Sequence, residues 1–256
     1  MLASEPTPRV ADAAKTDLIR ENLLTVRQRM AQAAAQTGRD PRGITLVAVS
    51  KMHPAGLVRA AVAAGQLVFG ENRLDEATPK MLALADQSGV AWHMIGHVQS
   101  RKARETAGAG FALIHSVDTL KLAERLSGAA TEGALKGGRR QAVLLEMNVS
   151  GEASKAGFRA ETREDWPALR LGLKQAAQSP GLDVRGLMTM APAVPDPMLA
   201  RPYFDRLREL MDYLAEQISF GPEPILSMGM SDDFEAAIAA GATMVRVGRA
   251  IFGERD

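Results

Sequence analysis

Cysteine is absent from the 256-residue sequence, and its absence excludes several kinds of chemistry. Disulfide bonds, thiolate nucleophiles and cysteine-ligated metal sites all require a side chain that this protein lacks. Histidine is scarce as well, with four copies, and we predict no metal site from the sequence. Tyrosine occurs only twice, so few phenols are available as proton donors.

An excess of charge of either sign is also missing. The 31 Lys and Arg residues stand against 30 Asp and Glu residues, so nothing points to a nucleic acid or a membrane as partner. No apolar run approaches the length of a membrane span, and the first residues, MLASEPTPRVADAAK, lack the apolar core of a secretory signal. We therefore expect a folded, cytoplasmic protein.

Short apolar segments alternate with helical patterns along most of the chain. We predict a frayed polar end at residues 1–9 and a helix over 10–37. Eight strands alternating with helices in about 250 residues are typical of a barrel. The sequence thus predicts one α/β domain over 1–256, a TIM-type (β/α)8 barrel with an extra N-terminal helix. A doubly wound open sheet is the alternative, because periodicity does not establish closure. The predicted strands cover 44–50, 66–72, 91–97, 111–118, 142–149, 184–190, 225–230 and 244–252.

Two glycine-containing turns, SMGMSDD and VGRAIFG, follow the last two predicted strands. In barrels of this kind these loops often form a phosphate site from backbone N–H groups and a short helix. Gly229 would let the backbone approach an anion, and the Ser231 hydroxyl could bind it. The second turn adds Gly248 with the basic Arg249 beside it. Such turns also occur without a ligand, with Ser231 capping the next helix. The two loops together, rather than either alone, indicate a phosphate site.

A lysine stands at the mouth of the first predicted strand, in the stretch ITLVAVSKMHP. Partial removal from water favours the neutral, nucleophilic form of an amine. Lys51 could therefore form a Schiff base with a phosphorylated aldehyde held in the phosphate site, and pyridoxal 5'-phosphate (PLP) has both groups. A solvated lysine at the end of a strand is the simpler interpretation.

Two further polar residues interrupt apolar segments. Arg246, in MVRVG, must keep its charge when buried and needs a partner there, either a neighbouring carboxylate or the nitrogen of a cofactor ring. A cation beside that nitrogen would disfavour ring protonation and weaken the cofactor as an electron sink. Asn72 could contact the ring hydroxyl or close a turn.

The motifs resemble those of the pyridoxal phosphate homeostasis protein family from about residue 44 to 255. The resemblance implies a fold-type III barrel similar to the N-terminal domain of alanine racemase, with PLP as a Schiff base on Lys51. It also implies that Arg246 faces the ring nitrogen. The phosphate contacts that it implies come from Ser231, residue 249 and the backbone near Met230 and Gly248. The motifs are LVAVSKMHP, FGENRLDEATPKM, WHMIGHVQSRK, IHSVDTLKLAERL, NVSGEASKAGF, GLMTMAP and LSMGMSDDFEAAIAAGATMVRVGRAIFGER.

Two positions depart from the pattern of that family. Arg249 stands where the family normally has Thr, so a charged group replaces a hydroxyl ligand of the phosphate. His97 stands where the family normally has Pro. The details of phosphate contact at residue 249 therefore stay open.

The resemblance implies a protein that buffers and delivers PLP and has no established catalytic turnover. PLP-dependent apoenzymes are the candidate partners, and we expect a monomer. Arg101 and Lys102 could form a second phosphate site or a docking surface, although a solvated helix is the simpler interpretation.

Two kinds of enzyme are the alternatives. A fold-type III racemase or decarboxylase would use a second, β-rich domain, and we expect none because the sequence ends at Asp256. Tyr203 and Tyr213 fall on a predicted outer helix, too far from the barrel mouth to donate protons there. A PLP-free Schiff-base aldolase is less consistent with a lysine on strand one opposite Arg246.

Overall fold

The computed structural model describes residues 8–134 and 139–254, which form strands surrounded by helices. Residues 1–7 of the predicted frayed end lie outside the described residues, and a helix already begins at Pro8. The strands are β1 Thr45–Val49, β2 Val68–Glu71, β3 Ala91–Met94, β4 Leu113–Val117, β5 Gln141–Asn148, β6 Phe158–Arg159, β7 Leu182–Met188, β8 Ile225–Ser227 and β9 Met244–Val247. The helices are α1 Pro8–Gln36, α2 Ala55–Ala63, α3 Leu74–Ala83, α4 Ala103–Gly108, α5 Leu120–Ala129, α6 Trp166–Ala177, α7 Arg201–Ala215, α8 Phe234–Ala239 and α9 Arg249–Phe252.

The strands close into a parallel barrel. Their order is β4-β3-β2-β1-β9-β8-β7-β5, and pairing of β4 with β5 completes the ring. The short strand β6 pairs with the end of β5 outside this ring, and it was not among the predicted strands. The predicted eight-stranded barrel is confirmed, and the open-sheet alternative is wrong.

Side chains alternate between the inside of the barrel and the helical layer. Ile114 and Val245 point outward into the large core that the helices cover. Because successive side chains of a strand face opposite sides, the neighbours of these residues point inward. The apolar part of the interior is small and consists of Val47, Leu113, Leu144, Met188 and Met244.

Helix α1 packs across α2, α8 and α9 and joins the two ends of the described chain. Its Asn22 donates through Nδ2 to the carbonyl of Ile251 at 2.9 Å. After the helix, Arg39 donates to the carbonyls of Ile238 and Ala242 at 2.7 and 2.8 Å. The N-terminal helix therefore supports the elements that follow β8 and β9.

The last predicted strand, 244–252, is a strand only as far as Val247. Gly248 turns the chain with φ −117° and ψ −74°, and the apolar residues beyond it form the short helix α9. Ile251 of that helix is fully buried, so its apolar character reflects packing of a helix and not continuation of the strand. None of the helices in the described ranges has both the length and the apolar character needed to cross a membrane.

We expect Leu23→Ala to destabilise the protein by about 2–4 kcal/mol, because Leu23 of α1 is 1% exposed and its truncation leaves a cavity. Leu24 is the matched control, since it is 57% exposed on the same helix, and Leu24→Ala should change stability by less than about 0.5 kcal/mol. Urea denaturation measures both. Equal effects would contradict the packing described for α1.

Candidate functional site

A cavity of about 620 Å³ opens at the carboxyl ends of the strands, and it gathers all seven predicted site residues. Five further residues complete its lining: Val49, Ile95, Met190, Asp232 and Glu254. Sequence reasoning missed these five, although Asp232 lies inside the SMGMSDD motif. The predicted residues that line the cavity are Lys51, Asn72, Met230, Ser231, Arg246, Gly248 and Arg249.

The backbone just before Lys51 is fixed by three buried polar groups. The Ser50 hydroxyl donates to Oε1 of Glu71 at 2.6 Å. Lys80 donates through Nζ to the same carboxylate at 2.8 Å and to the Ser50 carbonyl at 2.7 Å. Burial raises the pKa of Glu71, and the hydrogen bonds from Lys80 and Ser50 oppose that rise. These hydrogen bonds fix the end of β1, and Lys51 follows directly at the cavity.

The turn after Lys51 contains Met52, the one non-glycine residue of the described ranges with a positive φ, 65°. Its N–H donates to Oε2 of Glu76 at 2.9 Å, and its side chain is largely exposed. A side chain in this left-handed region is strained, because Cβ crowds the backbone. The strained residue thus lies in the turn that directly follows Lys51.

Arg246 is buried in the barrel, and its guanidinium is held by oxygen atoms of neighbouring strands. Nη1 donates to the carbonyl and hydroxyl of Ser227 at 2.8 and 2.6 Å, and Nη2 donates to the carbonyl of Thr189 at 2.9 Å. Burial lowers the pKa of Arg246 to about 10, so the group stays charged at neutral pH. Among the described residues no carboxylate forms an ion pair with it, so the simple salt bridge considered from the sequence is wrong.

The two loops predicted to bind phosphate contact each other directly. The N–H of Gly248 donates to the Ser231 hydroxyl oxygen at 3.2 Å, which leaves the hydroxyl hydrogen able to serve an anion. Ser231 does not cap α8, since Asp233 occupies that position. Gly229 has φ +92°, and a Cβ there would lie 2.6 Å from the Cβ of Ala237, so only glycine fits the turn.

Two of the groups predicted to contact phosphate bind carboxylates of the protein instead. The N–H of Met230 donates to Oδ1 of Asp233 at 2.6 Å. The Arg249 guanidinium forms an ion pair with Asp232 and lies 3.8 Å from Glu254. A phosphate group would therefore compete with carboxylates for Arg249.

Asn72 leaves an acceptor for a ligand. Its Oδ1 is buried and has no hydrogen-bond partner within the part of the chain that the structure describes. Gly96 packs directly against the backbone of Asn72, and a Cβ at residue 96 would overlap the Asn72 carbonyl. The position of this amide is consequently set by close backbone contact, and a donor in the cavity would satisfy its oxygen.

A second polar group lies beside the cavity at the ends of β3, β4 and β5. His97 contacts Oδ2 of Asp118 through Nδ1 at 3.0 Å. Burial, together with the charge of Asp118, raises the pKa of nearby Glu146 to about 7. His93 and His97 are four residues apart, yet the described residues contain no group of three side chains able to hold a metal ion.

Arg101 and Lys102 line a separate cavity of about 680 Å³ that shares Asn72 with the first. Lys102 contacts Glu105 at 2.8 Å, and Arg101 donates to Oε1 of Gln99 at 2.9 Å. Their charged groups are thus engaged by side chains close to them in sequence, as expected for a solvated helix start.

Residues 15–256 match the family of the alanine racemase N-terminal domain. The alanine racemase of Corynebacterium glutamicum has the same fold, with a TM-score of 0.65 and 18% identity over 93% of this chain and 62% of that one. The fold and its cavity thus define a barrel of the alanine racemase N-terminal class.

More similar relatives define the family within that class. The pyridoxal phosphate homeostasis protein of Pseudomonas aeruginosa is 48% identical over 242 residues, 93% of this chain and 96% of the relative. The Escherichia coli K12 protein of the same name is 38% identical over 93% of this chain and 97% of its own. This chain belongs to the pyridoxal phosphate homeostasis protein family, as the motifs indicated.

A solved relative, PipY of Synechococcus elongatus PCC7942, is described both without and with PLP bound. The form without PLP has a TM-score of 0.77 at 38% identity, and the form with PLP has a TM-score of 0.75 at 37% identity. Each comparison covers 92% of this chain and 100% of PipY.

We expect Met52→Gly to leave stability unchanged or raise it by up to about 1 kcal/mol, because glycine tolerates the positive φ. Met52→Val should destabilise by about 1–2 kcal/mol, since β-branched side chains fit this region worst. The Met52 side chain is 63% exposed, so lost packing contributes little to either result. Thermal unfolding compares the variants, and a Val variant as stable as the Gly variant would contradict the strain.

The stability of the Glu146→Gln variant relative to wild type should increase as pH rises. The pKa of Glu146 is about 7 in the fold against 4.5 for an ordinary Glu, so the native state binds the proton more tightly. Its contribution to stability is present at low pH and is lost as pH rises through 7. Between pH 5.5 and 8.5 the stability of the variant relative to wild type should rise by about 2 kcal/mol. A difference independent of pH in denaturant titrations would refute the raised pKa.

Proposed function

We propose that this protein binds PLP in the barrel cavity, holds it as a Schiff base on Lys51, and serves intracellular PLP homeostasis and delivery. A lysine from the first strand, a loop pair from the last strands and a buried arginine meet in one cavity, and this observation carries the proposal. The names of the relatives and the PLP-bound form of PipY support it.

The chain offers a complementary group for each part of PLP. The cofactor supplies an aldehyde carbon, a phosphate dianion, a ring hydroxyl and a ring nitrogen. Lys51 provides the amine, the Ser231 hydroxyl can donate to the phosphate, and Asn72 has a buried oxygen to accept from the ring hydroxyl. Gly229 and Gly248 let the phosphate loops pack closely, since a Cβ at residue 229 would lie 2.6 Å from the Cβ of Ala237 and one at residue 248 would lie 3.2 Å from the Val49 carbonyl oxygen.

Arg246 would influence the electronic character of a bound PLP ring. A guanidinium donates hydrogen bonds and cannot accept one, so beside the ring nitrogen it disfavours protonation of the ring. An unprotonated pyridine withdraws electrons less strongly, and the cofactor is then a weaker electron sink.

The placement of the tyrosines favours a carrier. Both lie on α7, outside the barrel. The ring of Tyr213 packs against Trp166 with centroids 5.5 Å apart, and the ring of Tyr203 lies beside Arg206. Neither is among the described residues that line the cavity, so neither provides the phenol that racemisation would need.

Delivery requires that a partner can approach the cofactor. Met190 and Met230 line the cavity and are 38% and 39% exposed, and Met52 beside Lys51 is 63% exposed. The site thus has an accessible rim with flexible apolar side chains, a composition that accommodates varied partners. We propose a monomeric, single-domain cytoplasmic carrier whose partners are PLP-dependent apoenzymes.

The visible absorption of purified protein incubated with PLP tests the lysine assignment. Wild type should develop a yellow Schiff-base band that borohydride bleaches, with one cofactor retained per chain after reduction. Lys51→Ala should lack both the band and the retained cofactor, because no amine remains at this position. Lys102→Ala is the matched control, since that lysine lines the adjoining cavity, and it should behave as wild type.

Two results would overturn the assignment. A wild type that stays colourless with PLP excludes the Schiff base and directs attention to sugar phosphates and the aldolase alternative. A Lys51→Ala protein that still retains reduced cofactor places the Schiff base on another lysine. Mixing loaded protein with a PLP-free apoenzyme then tests delivery, with recovered enzyme activity as the readout.

A further inference from the structure

Four buried polar side chains form a continuous hydrogen-bonded chain across the inside of the barrel, which we call the interior chain. It consists of His93 on β3, His115 on β4, Ser227 on β8 and Arg246 on β9. Nδ1 of His93 lies 3.0 Å from Nε2 of His115, and Nδ1 of His115 lies 3.0 Å from the Ser227 hydroxyl. That hydroxyl lies 2.6 Å from Nη1 of Arg246. All four residues are at most 6% exposed.

Arg246 fixes the first hydrogen-bond direction in the interior chain. A guanidinium only donates, so the Ser227 oxygen accepts from it. Among the described contacts of that oxygen, Nδ1 of His115 is the available acceptor for the hydroxyl hydrogen. With that hydrogen bonded to Nδ1, His115 carries its own proton on Nε2 and donates it to Nδ1 of His93.

Both imidazoles are neutral in this arrangement. Burial lowers the pKa of His93 to about 4. It also lowers that of His115 well below its ordinary value, helped by the charge of Arg246 and by His93. A protonated His115 would have no lone pair for the Ser227 hydroxyl hydrogen, so this set of directions holds for neutral histidines.

Two N–H groups of the Arg246 guanidinium are not used by its described contacts. Of the five N–H groups of a guanidinium, the described contacts use two on Nη1 and one on Nη2. The remaining two, on Nη2 and Nε, are left for an acceptor in the cavity that Arg246 lines. The oxygens of Ser227 and Thr189 fix the plane in which those two donors point.

We propose that His115 is a positioning residue for Arg246, acting through Ser227, and that the interior chain selects ligands with an unprotonated ring nitrogen. His115 holds the Ser227 hydroxyl hydrogen, which keeps the oxygen lone pair turned toward Arg246. The guanidinium can then present one of its two remaining donors to the ring nitrogen. The role toward the ring rests on the proposed PLP function, whereas the hydrogen-bond directions do not.

The histidine tautomers test the directions without any cofactor. In ¹⁵N-labelled, PLP-free wild type at pH 7, the long-range ¹⁵N–¹H spectrum should show His115 as a neutral ring protonated on Nε2. Four histidines in the sequence make assignment by single variants practical. His115 protonated on Nδ1, or on both nitrogens, overturns the proposal.

Ligand selectivity tests the positioning role. We compare dissociation constants for PLP and for the analogue in which C–H replaces the ring nitrogen, so that it offers no acceptor to Arg246. Wild type should prefer PLP. His115→Phe, which lacks the acceptor for Ser227, should lower that preference about fivefold or more, the effect of one net hydrogen bond.

Two variants separate positioning from general destabilisation. His115→Asn keeps an acceptor near the position of Nδ1 and should retain most of the preference. Ser116→Ala removes a buried hydroxyl that donates to the Gly96 carbonyl at 2.6 Å from the same strand, and it should leave the preference unchanged. A purely structural role for His115 would weaken binding of both ligands equally.

The outcomes distinguish the two proposals. A wild type that binds PLP, with a preference that His115→Phe leaves unchanged, overturns the positioning role and leaves the proposed function standing. A wild type that binds no PLP overturns the proposed function and the role toward the ring with it. The tautomer measurement still decides the direction of the interior chain in that case.

Discussion

The parallel pairing of β1 with β9 is the constraint on which the site depends. It sets Val47 beside Arg246 and Ala48 beside Val247, so the first strand of the barrel ends next to the last. Lys51 and Gly248 therefore meet at one mouth although they come from opposite ends of the sequence. Helix α1 reinforces the pairing from outside, because Asn22 and Arg39 bind carbonyl groups of the segments after β8 and β9.

The barrel interior contains few apolar side chains and a set of hydrogen-bonded polar side chains. Its apolar cluster is small, and the remaining space holds imidazole, hydroxyl and guanidinium groups that satisfy one another. Buried polar groups stabilise a fold weakly, but unmatched ones are costly, so a complete set favours one arrangement of the strands over its neighbours. The Glu71 and Lys80 pair acts in the same way beneath Lys51.

The strands, their number and the residues at their carboxyl ends could be read from the sequence, because each depends on local periodicity and on a general rule of barrels. Contacts across strands could not. Whether His93 meets His115 depends on register and closure, which no local pattern records. Arg246 was expected to need a carboxylate or a ligand, yet carbonyl and hydroxyl oxygens hold it. Helix α9, which follows Gly248, was not predicted because its apolar residues resemble the end of a strand.

The pairing of β1 with β9 also makes the cavity depend on the last strand of the barrel. A chain that has formed β1 but not β9 has the lysine and lacks Gly248 and Arg246 beside it, so the complete cavity requires both strands. Contacts between such distant segments form late, since loop closure must precede them. A molecule that binds only the closed barrel then shifts the folding equilibrium toward it by mass action.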